Sequence, residues 1–154
     1  MTITISSSVR IDAPVFVVFD VFTDLERAVE RVRGIDRIEV LAGRATFGVG
    51  TSWRETRTMG ARAATEVMWV TECTPFSTYS VAAASHGSAY MTMYRFWPDV
   101  DGTTVEVDFS WEALTFGARL MGIFGWLFRA SIRRGLHQDL LDLKAASEDL
   151  PEPN

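Results

Sequence analysis

Apolar and polar residues alternate from Thr2 to Ile11, with Ile3, Ile5, Val9 and Ile11 on one face, a period of two that predicts a strand. The pattern then changes. Asp12 is placed to cap a helix, Pro14 falls in its first turn, and Val15, Phe16, Val18, Phe19 and Phe22 supply its apolar body. Thr23-Asp24 ends it, and Leu25 to Arg33 predicts a second short helix stopped by Gly34. Ile35 to Leu41 predicts another strand, followed by a glycine-punctuated stretch from Ala42 to Gly50. Five more strands are expected at Thr51–Met59, Ala64–Cys73, Ser77–Ser85, Ala89–Trp97 and Thr103–Ala113. Their separators are short and rich in turn residues, so the strands should form an antiparallel meander.

The stretch from Leu114 to Asn154 predicts one long helix. Up to Ile132 it is apolar on almost every side, whereas Arg133 to Glu148 is amphipathic, with Leu136, Leu140 and Leu143 at spacings of four and three. A half-exposed surface helix does not need apolar residues all round, but one that covers a sheet and roofs a cavity does. Leu120, Phe124, Leu127 and Phe128 are expected to face the sheet or the pocket, with Met121 as adaptable filler. Gly117, Gly122 and Gly125 each cost helix stability, about 1 kcal/mol relative to Ala, which suggests close approach of a ligand, a strand or a second subunit. Trp126 falls on the outer side, where it would suit a homodimer interface. Residues 1–148 are read as one domain and 149–154 as a disordered tail.

Composition narrows the partners. The net charge of -5 argues against a nucleic acid, which usually requires a basic face. A lone cysteine, Cys73, cannot form an internal disulfide, and Met1 leads straight into a strand pattern with no secretory signal, so a reducing cytoplasm is expected. The apolar run between Arg119 and Arg129 is nine residues, far short of the ~20 that a bilayer requires. Weak contact with a membrane surface stays open, because Arg119, Arg129, Arg133 and Arg134 flank aromatic and aliphatic residues. A buried helix edged by arginines is the favoured alternative. With one Cys and two separated His, His86 and His137, no metal-ligand spacing is present and no cofactor is expected.

Strand, two short helices, six strands and a long helix form a distinctive order. It resembles the helix-grip fold of the START, birch-pollen-allergen and polyketide-cyclase superfamily, SRPBCC. The stretches that carry the resemblance are Val9 to Asp20, Gly48-Val-Gly-Thr-Ser-Trp-Arg-Glu-Thr-Arg57, Val70 to Pro75, Tyr94 to Pro98 and Gly102 to Val107. The resemblance implies an α+β fold in which a curved antiparallel seven-stranded sheet wraps the carboxy-terminal helix and encloses a cavity. One departure is visible: many relatives carry a Trp or Pro cluster in the second short helix, where this chain has Arg27-Ala-Val-Glu-Arg-Val-Arg33. Mouth geometry is therefore not carried over.

Parity decides what faces that cavity. In the last strand Val105, Val107, Phe109 and Trp111 face in, and Thr104, Glu106, Asp108 and Ser110 face water. A four-residue turn at Asp99–Gly102 would pair Phe96 with Val105 and Tyr94 with Val107, continuing inward through Thr92 and Tyr90. A three-residue turn would instead turn Arg95 and Trp97 inward, and the first arrangement is preferred. By the resemblance, Trp53, Glu55 and Arg57 also point inward. A charge in an apolar cavity is costly unless partnered, so this Glu–Arg pair is either a polar anchor for a ligand carbonyl, hydroxyl or carboxylate, or an acid–base pair. The plainer alternative, an ion pair satisfied near the open end of the sheet, is favoured over both.

Two function classes follow, with a third behind them. The first is a binding module for a small hydrophobic ligand, polyketide-, lipid-, sterol- or quinone-like, lined by Trp53, Tyr90, Tyr94, Phe96, Phe109, Trp111, Met121, Phe124 and Phe128 and oriented by Glu55 and Arg57. The second, which the resemblance permits, is a polyketide cyclase or dehydratase with Glu55 and Arg57 as candidate catalytic residues. The lack of an unmistakable acid–base dyad tilts the reading towards binding. The third is a membrane-surface or protein-interaction module.

Overall fold

The computed structural model describes residues 2–59, 61–85, 87–115 and 125–149. Alternating sequence becomes strand as expected: β1 (Thr2–Ile11), β2 (Ile35–Ala42), β3 (Ser52–Met59), β4 (Arg62–Thr74), β5 (Thr78–Ser85), β6 (Ser88–Pro98) and β7 (Thr103–Ala113). They form one antiparallel sheet in the order β1-β7-β6-β5-β4-β3-β2. Consecutive strands from β2 to β7 pair as a meander, and β1 closes beside β7. Two short helices, α1 (Val15–Thr23) and α2 (Ala28–Arg31), separate β1 from β2, and α3 (Gly125–Asp149) follows the sheet. This is the helix-grip architecture.

Hairpin turns set the register. Asp99 N donates to Gly102 O at 2.9 Å, closing the four-residue turn. Phe96 therefore pairs with Val105, Tyr94 with Val107, Thr92 with Phe109 and Tyr90 with Trp111, as preferred from the sequence. The facing of β4 and β5, open at the level of sequence, is decided by pairing. Met68 lies opposite Trp53 and Ala83, Val70 opposite Val81, and Tyr79 opposite Tyr94, so all of these share the inner face. A bulge between Val70 and Glu72 resets the alternation of β4 and brings Cys73 opposite Tyr79.

α3 packs along β1 and against α1 and α2. Leu140 and Leu143 are buried in a core with Val18, Phe19, Phe22, Phe96, Val105 and Val107. Polar ties fix its depth. The buried Asp142 carboxylate accepts hydrogen bonds from Arg33 N at 3.0 Å and Gln138 Nε2 at 2.9 Å, and Lys144 Nζ donates to Arg10 O at 2.7 Å.

Several local expectations are corrected. Asp12 does not cap α1: the residue before the helix is Pro14, with no side-chain cap, and the Asp12 carboxylate pairs with Arg10 instead. The second helix is four residues, not nine, because Val32 is already extended (φ -109°, ψ 108°) and leads into β2. Leu114 and Thr115 are not helical; their amides donate to Gly87 O at 2.8 and 3.3 Å, prolonging the β6–β7 end of the sheet. Asp149 closes α3 rather than opening a tail. The outer row of β7 is only partly exposed, because its polar groups cover one another: Ser6 donates to Asp108 at 2.5 Å, and Arg95 reaches both Asp108 and Glu106.

Candidate functional site

β3 is held in place by the bend before it. Gly43 (φ +74°) and Gly50 (φ +98°) adopt left-handed backbone that favours glycine, and a Cβ on Gly43 would lie 2.6 Å from Thr51 Oγ1. The buried Thr51 hydroxyl fills that space and accepts from Gly48 N at 3.1 Å. From this bend β3 emerges with Trp53, Glu55 and Arg57 on the inner face.

These three side chains form one network. Trp53 Nε1 donates to Glu55 Oε2 at 3.1 Å, and Arg57 Nε donates to Glu55 Oε1 at 2.5 Å. The opposite side of the guanidinium meets Asp139 of α3, Nη2 to Oδ2 at 2.9 Å. Glu55 is only 7% exposed, so its charge could not be kept there without these donors. Gly34 leaves room beside the guanidinium, since a Cβ there would sit 3.2 Å from Arg57 Nη1 and would ask it to give by a few tenths of an ångström. Two carboxylates thus share one guanidinium. Burial works against the Arg57 charge, but attraction to Asp139 and Glu55 outweighs it and holds the group more firmly protonated. Burial pushes the Asp139 carboxyl above its ordinary range, an effect that Arg57 only partly offsets.

Aromatic rings lie beside this network. Tyr79 and Tyr94 stack with centroids 4.6 Å apart, and Phe22 meets Tyr94 edge-on at 6.1 Å. Phe47 bridges Trp53 at 6.3 Å and Tyr79 at 5.0 Å. Phe96 is enclosed by Phe19 and Phe22. Desolvation raises the phenol pKa of both tyrosines. Tyr94 nevertheless retains accessible surface, and among the described residues its hydroxyl has no hydrogen-bond partner.

The structure divides the expected site residues into two groups. Trp53, Glu55, Arg57, Tyr94 and Phe96 converge on the network just described. Tyr90, Phe109 and Trp111 form a second wall, with Tyr90 and Phe109 5.9 Å apart and each of the three only partly buried. Trp111 Nε1 is a buried donor without a partner among the described residues. Met121, Phe124 and the side chain of Phe128 lie outside the described residues, as do Leu120, Gly117, Gly122, His86 and the side chains of Trp126 and Leu127. His137 is exposed, with Nδ1 3.2 Å from Ser7 Oγ, and joins neither group.

Sequence reasoning missed Tyr79, Phe47, Phe19, Phe22 and Asp139 as site residues. Asp139 carried a signal: it stands three residues after Leu136 and four before Leu143, on the inward stripe of the helix. Tyr79 carried none, because its face is fixed by the pairing of β5 with β6, which the sequence left open. Among the described residues, no group of acidic, His or Cys side chains is arranged to hold a metal, and no helix is long and apolar enough to cross a membrane.

Comparison with known proteins extends this picture. Residues 2–148 match the model of the family described as polyketide cyclase/dehydrase and lipid transport. No curated protein matches the chain in sequence. Among solved structures, the chain is similar to the Zhui aromatase/cyclase of Streptomyces sp. R1128, at 14% identity and a TM-score of 0.79, over 96% of this chain and 94% of that one. It is also similar to truncated norcoclaurine synthase of Thalictrum flavum, at 13% identity and a TM-score of 0.75, over 98% and 96%. A Thermus thermophilus protein aligns at 17% identity with a TM-score of 0.79, over 94% and 97%. At such identities the likeness extends to the fold alone.

Proposed function

The chain belongs to the polyketide cyclase/dehydrase and lipid transport family, and from that premise we propose that it binds a small, largely apolar molecule, polyketide-, lipid-, sterol- or quinone-like, against the inner face of the sheet. The observation that carries this reading is Tyr94. Its ring stacks among other aromatics, the residue keeps accessible surface, and its hydroxyl is unpaired among the described residues. A phenol hydroxyl that no protein group engages is free to hydrogen-bond a ligand hydroxyl or carbonyl. The two carboxyl groups that share Arg57 lie nearby as acceptors, and they favour a ligand that brings a donor. The apolar body of the ligand would rest on Tyr90, Phe109 and Trp111.

Native mass spectrometry of the purified protein, followed by thermal shifts with a panel of hydrophobic phenols, quinones, sterols and fatty acids, tests this. A co-purified molecule, or a saturable rise in melting temperature that Tyr94→Phe weakens, is the expected result. No bound mass and no shift across the panel would end the proposal.

The second reading is a cyclase or dehydratase, and one observation favours it. Asp139 sits beside a single guanidinium with its carboxyl pushed upward by burial, so it can hold a proton nearer neutrality than an ordinary aspartate. Asp139→Asn would then retain ligand binding and lose turnover of a polyketide substrate. Turnover unchanged in that variant returns the site to binding alone.

A further inference from the structure

β2 ends the sheet, so only one of its sides is paired. Along the free side runs a groove of about 460 Å³, walled by Leu25, Glu26 and Val29 and floored by Arg37 to Val40. Consecutive residues of a strand point to opposite faces, so a floor made of four in a row is the strand's own edge rather than one of its faces. Unpaired edges of this kind are templates for another strand. Register shifts at Ile35/Arg37 and Val40/Ala42 bracket the segment, which leaves Arg37 to Val40 as the regular stretch that can pair. Exposed apolar side chains flank it, Val29 at 40% and Leu41 at 44%.

The charges say what fits. Arg37 and Glu39 stand on the outer face, where Arg37 lies opposite Thr56 and Glu39 opposite Arg54. Glu39 is held by Arg54 at 2.7 Å, whereas Arg37 has no ion-pair partner among the described residues. We propose that this edge pairs antiparallel with β2 of a second copy, about a two-fold axis through Ile38. An antiparallel pair centred on one residue sets its preceding neighbour against the partner's following neighbour. Arg37 of each copy then faces the partner's Glu39, and the contact is made twice. No other centre within the stretch does this: centring on Arg37 or Glu39 sets like charges together, centring between residues sets Arg37 against Ile38, Val40 or Ala42, and centring on Val40 sets it against Gly43. The Arg-Ile-Glu triplet is self-complementary in that one register. The partner also covers the exposed wall at Val29 and Leu41.

Sedimentation velocity over a range of concentrations tests this with the wild type, R37E, E39R and the double reversal R37E/E39R, each checked by circular dichroism for folding. The wild type should self-associate. R37E, which leaves the Arg54–Glu39 pair intact, should weaken the dimer by about tenfold or more, because two carboxylates then oppose each other at both positions. E39R should do likewise, and the double reversal should restore the dimer. A wild type that stays monomeric, or that pairs only with an added extended peptide, overturns the proposal. So does a dimer indifferent to R37E, which must use another face, and so does a double reversal that stays as weak as the single ones. None of these outcomes depends on whether the inner face takes a ligand.

Discussion

Arg57 and Asp139, 82 residues apart in sequence, meet at 2.9 Å between Nη2 and Oδ2. That contact ties α3 to β3, while the rest of the helix packs along the opposite edge strand, β1. Because Arg57 also holds the buried Glu55, one guanidinium links the floor of the inner face to its roof.

Removing Arg57 should therefore cost more than removing Asp139. Arg57→Ala leaves the Glu55 carboxylate buried with Trp53 Nε1 as its remaining donor, a loss of about 3 kcal/mol. Asp139→Asn leaves the Arg57–Glu55 pair in place and should cost about 1 kcal/mol or less, since Arg57 is partly exposed and screened. Urea unfolding of the two variants checks the order. Equal losses would mean that Glu55 is not the group most dependent on Arg57.

Two aspartates should respond oppositely to acid. Burial raises the Asp139 pKa, so the native state binds its proton more readily than the unfolded chain. Its contribution to stability is therefore greatest below the ordinary value of 3.8 and declines as pH rises through the raised value. Asp108 is held below 3.8, first by the Ser6 hydroxyl and then by Arg95, so its contribution is present above 3.8 and lost as pH falls through the lowered value. On acidification the wild type should gain stability relative to Asp139→Asn and lose it relative to Asp108→Asn. Unfolding curves at neutral and acid pH that move in the same direction for both variants would contradict the assignment.

Gly43→Ala should destabilise the protein by about 2 kcal/mol or more, because it combines a left-handed backbone with a Cβ 2.7 Å from Thr51 Cα. Gly48→Ala, in the same bend with open space around it, should be close to neutral. A thermal melt distinguishes them. Comparable shifts would show that the Thr51 contact does not constrain the bend.

Tyr94→Phe should leave stability unchanged or raise it slightly, since the deleted hydroxyl has no partner among the described residues and the ring stack on Tyr79 persists. Ligand affinity should nonetheless fall, by about tenfold for one lost hydrogen bond in a buried site. Titration calorimetry with a ligand from the panel, run beside a melt, reads both quantities. A variant that loses stability and keeps affinity would assign the hydroxyl to the fold rather than to binding.

The order of elements was legible in the chain because each strand carries its own period of two and each hairpin its own turn residues. Both signals are local. The β6–β7 register followed from counting the four residues of one turn, and the inward row Tyr90, Tyr94, Phe96 followed from that. Trp53, Glu55 and Arg57 could be placed through the resemblance, and β3 indeed sets all three on one face.

What local pattern could not supply was anything requiring two distant segments to be located together. Tyr79 became a site residue only when the pairing of β5 with β6 set it opposite Tyr94. Asp139 became one only when the helix settled at a depth set by Leu140, Leu143 and the Asp142 ties. Alternation along a strand is a property of backbone geometry, so the chain by itself determined which residues share a face. Whether an inward charge is satisfied depends on which other charge the fold brings within 3 Å, so the pairing of Glu55, Arg57 and Asp139 was decided by tertiary structure alone.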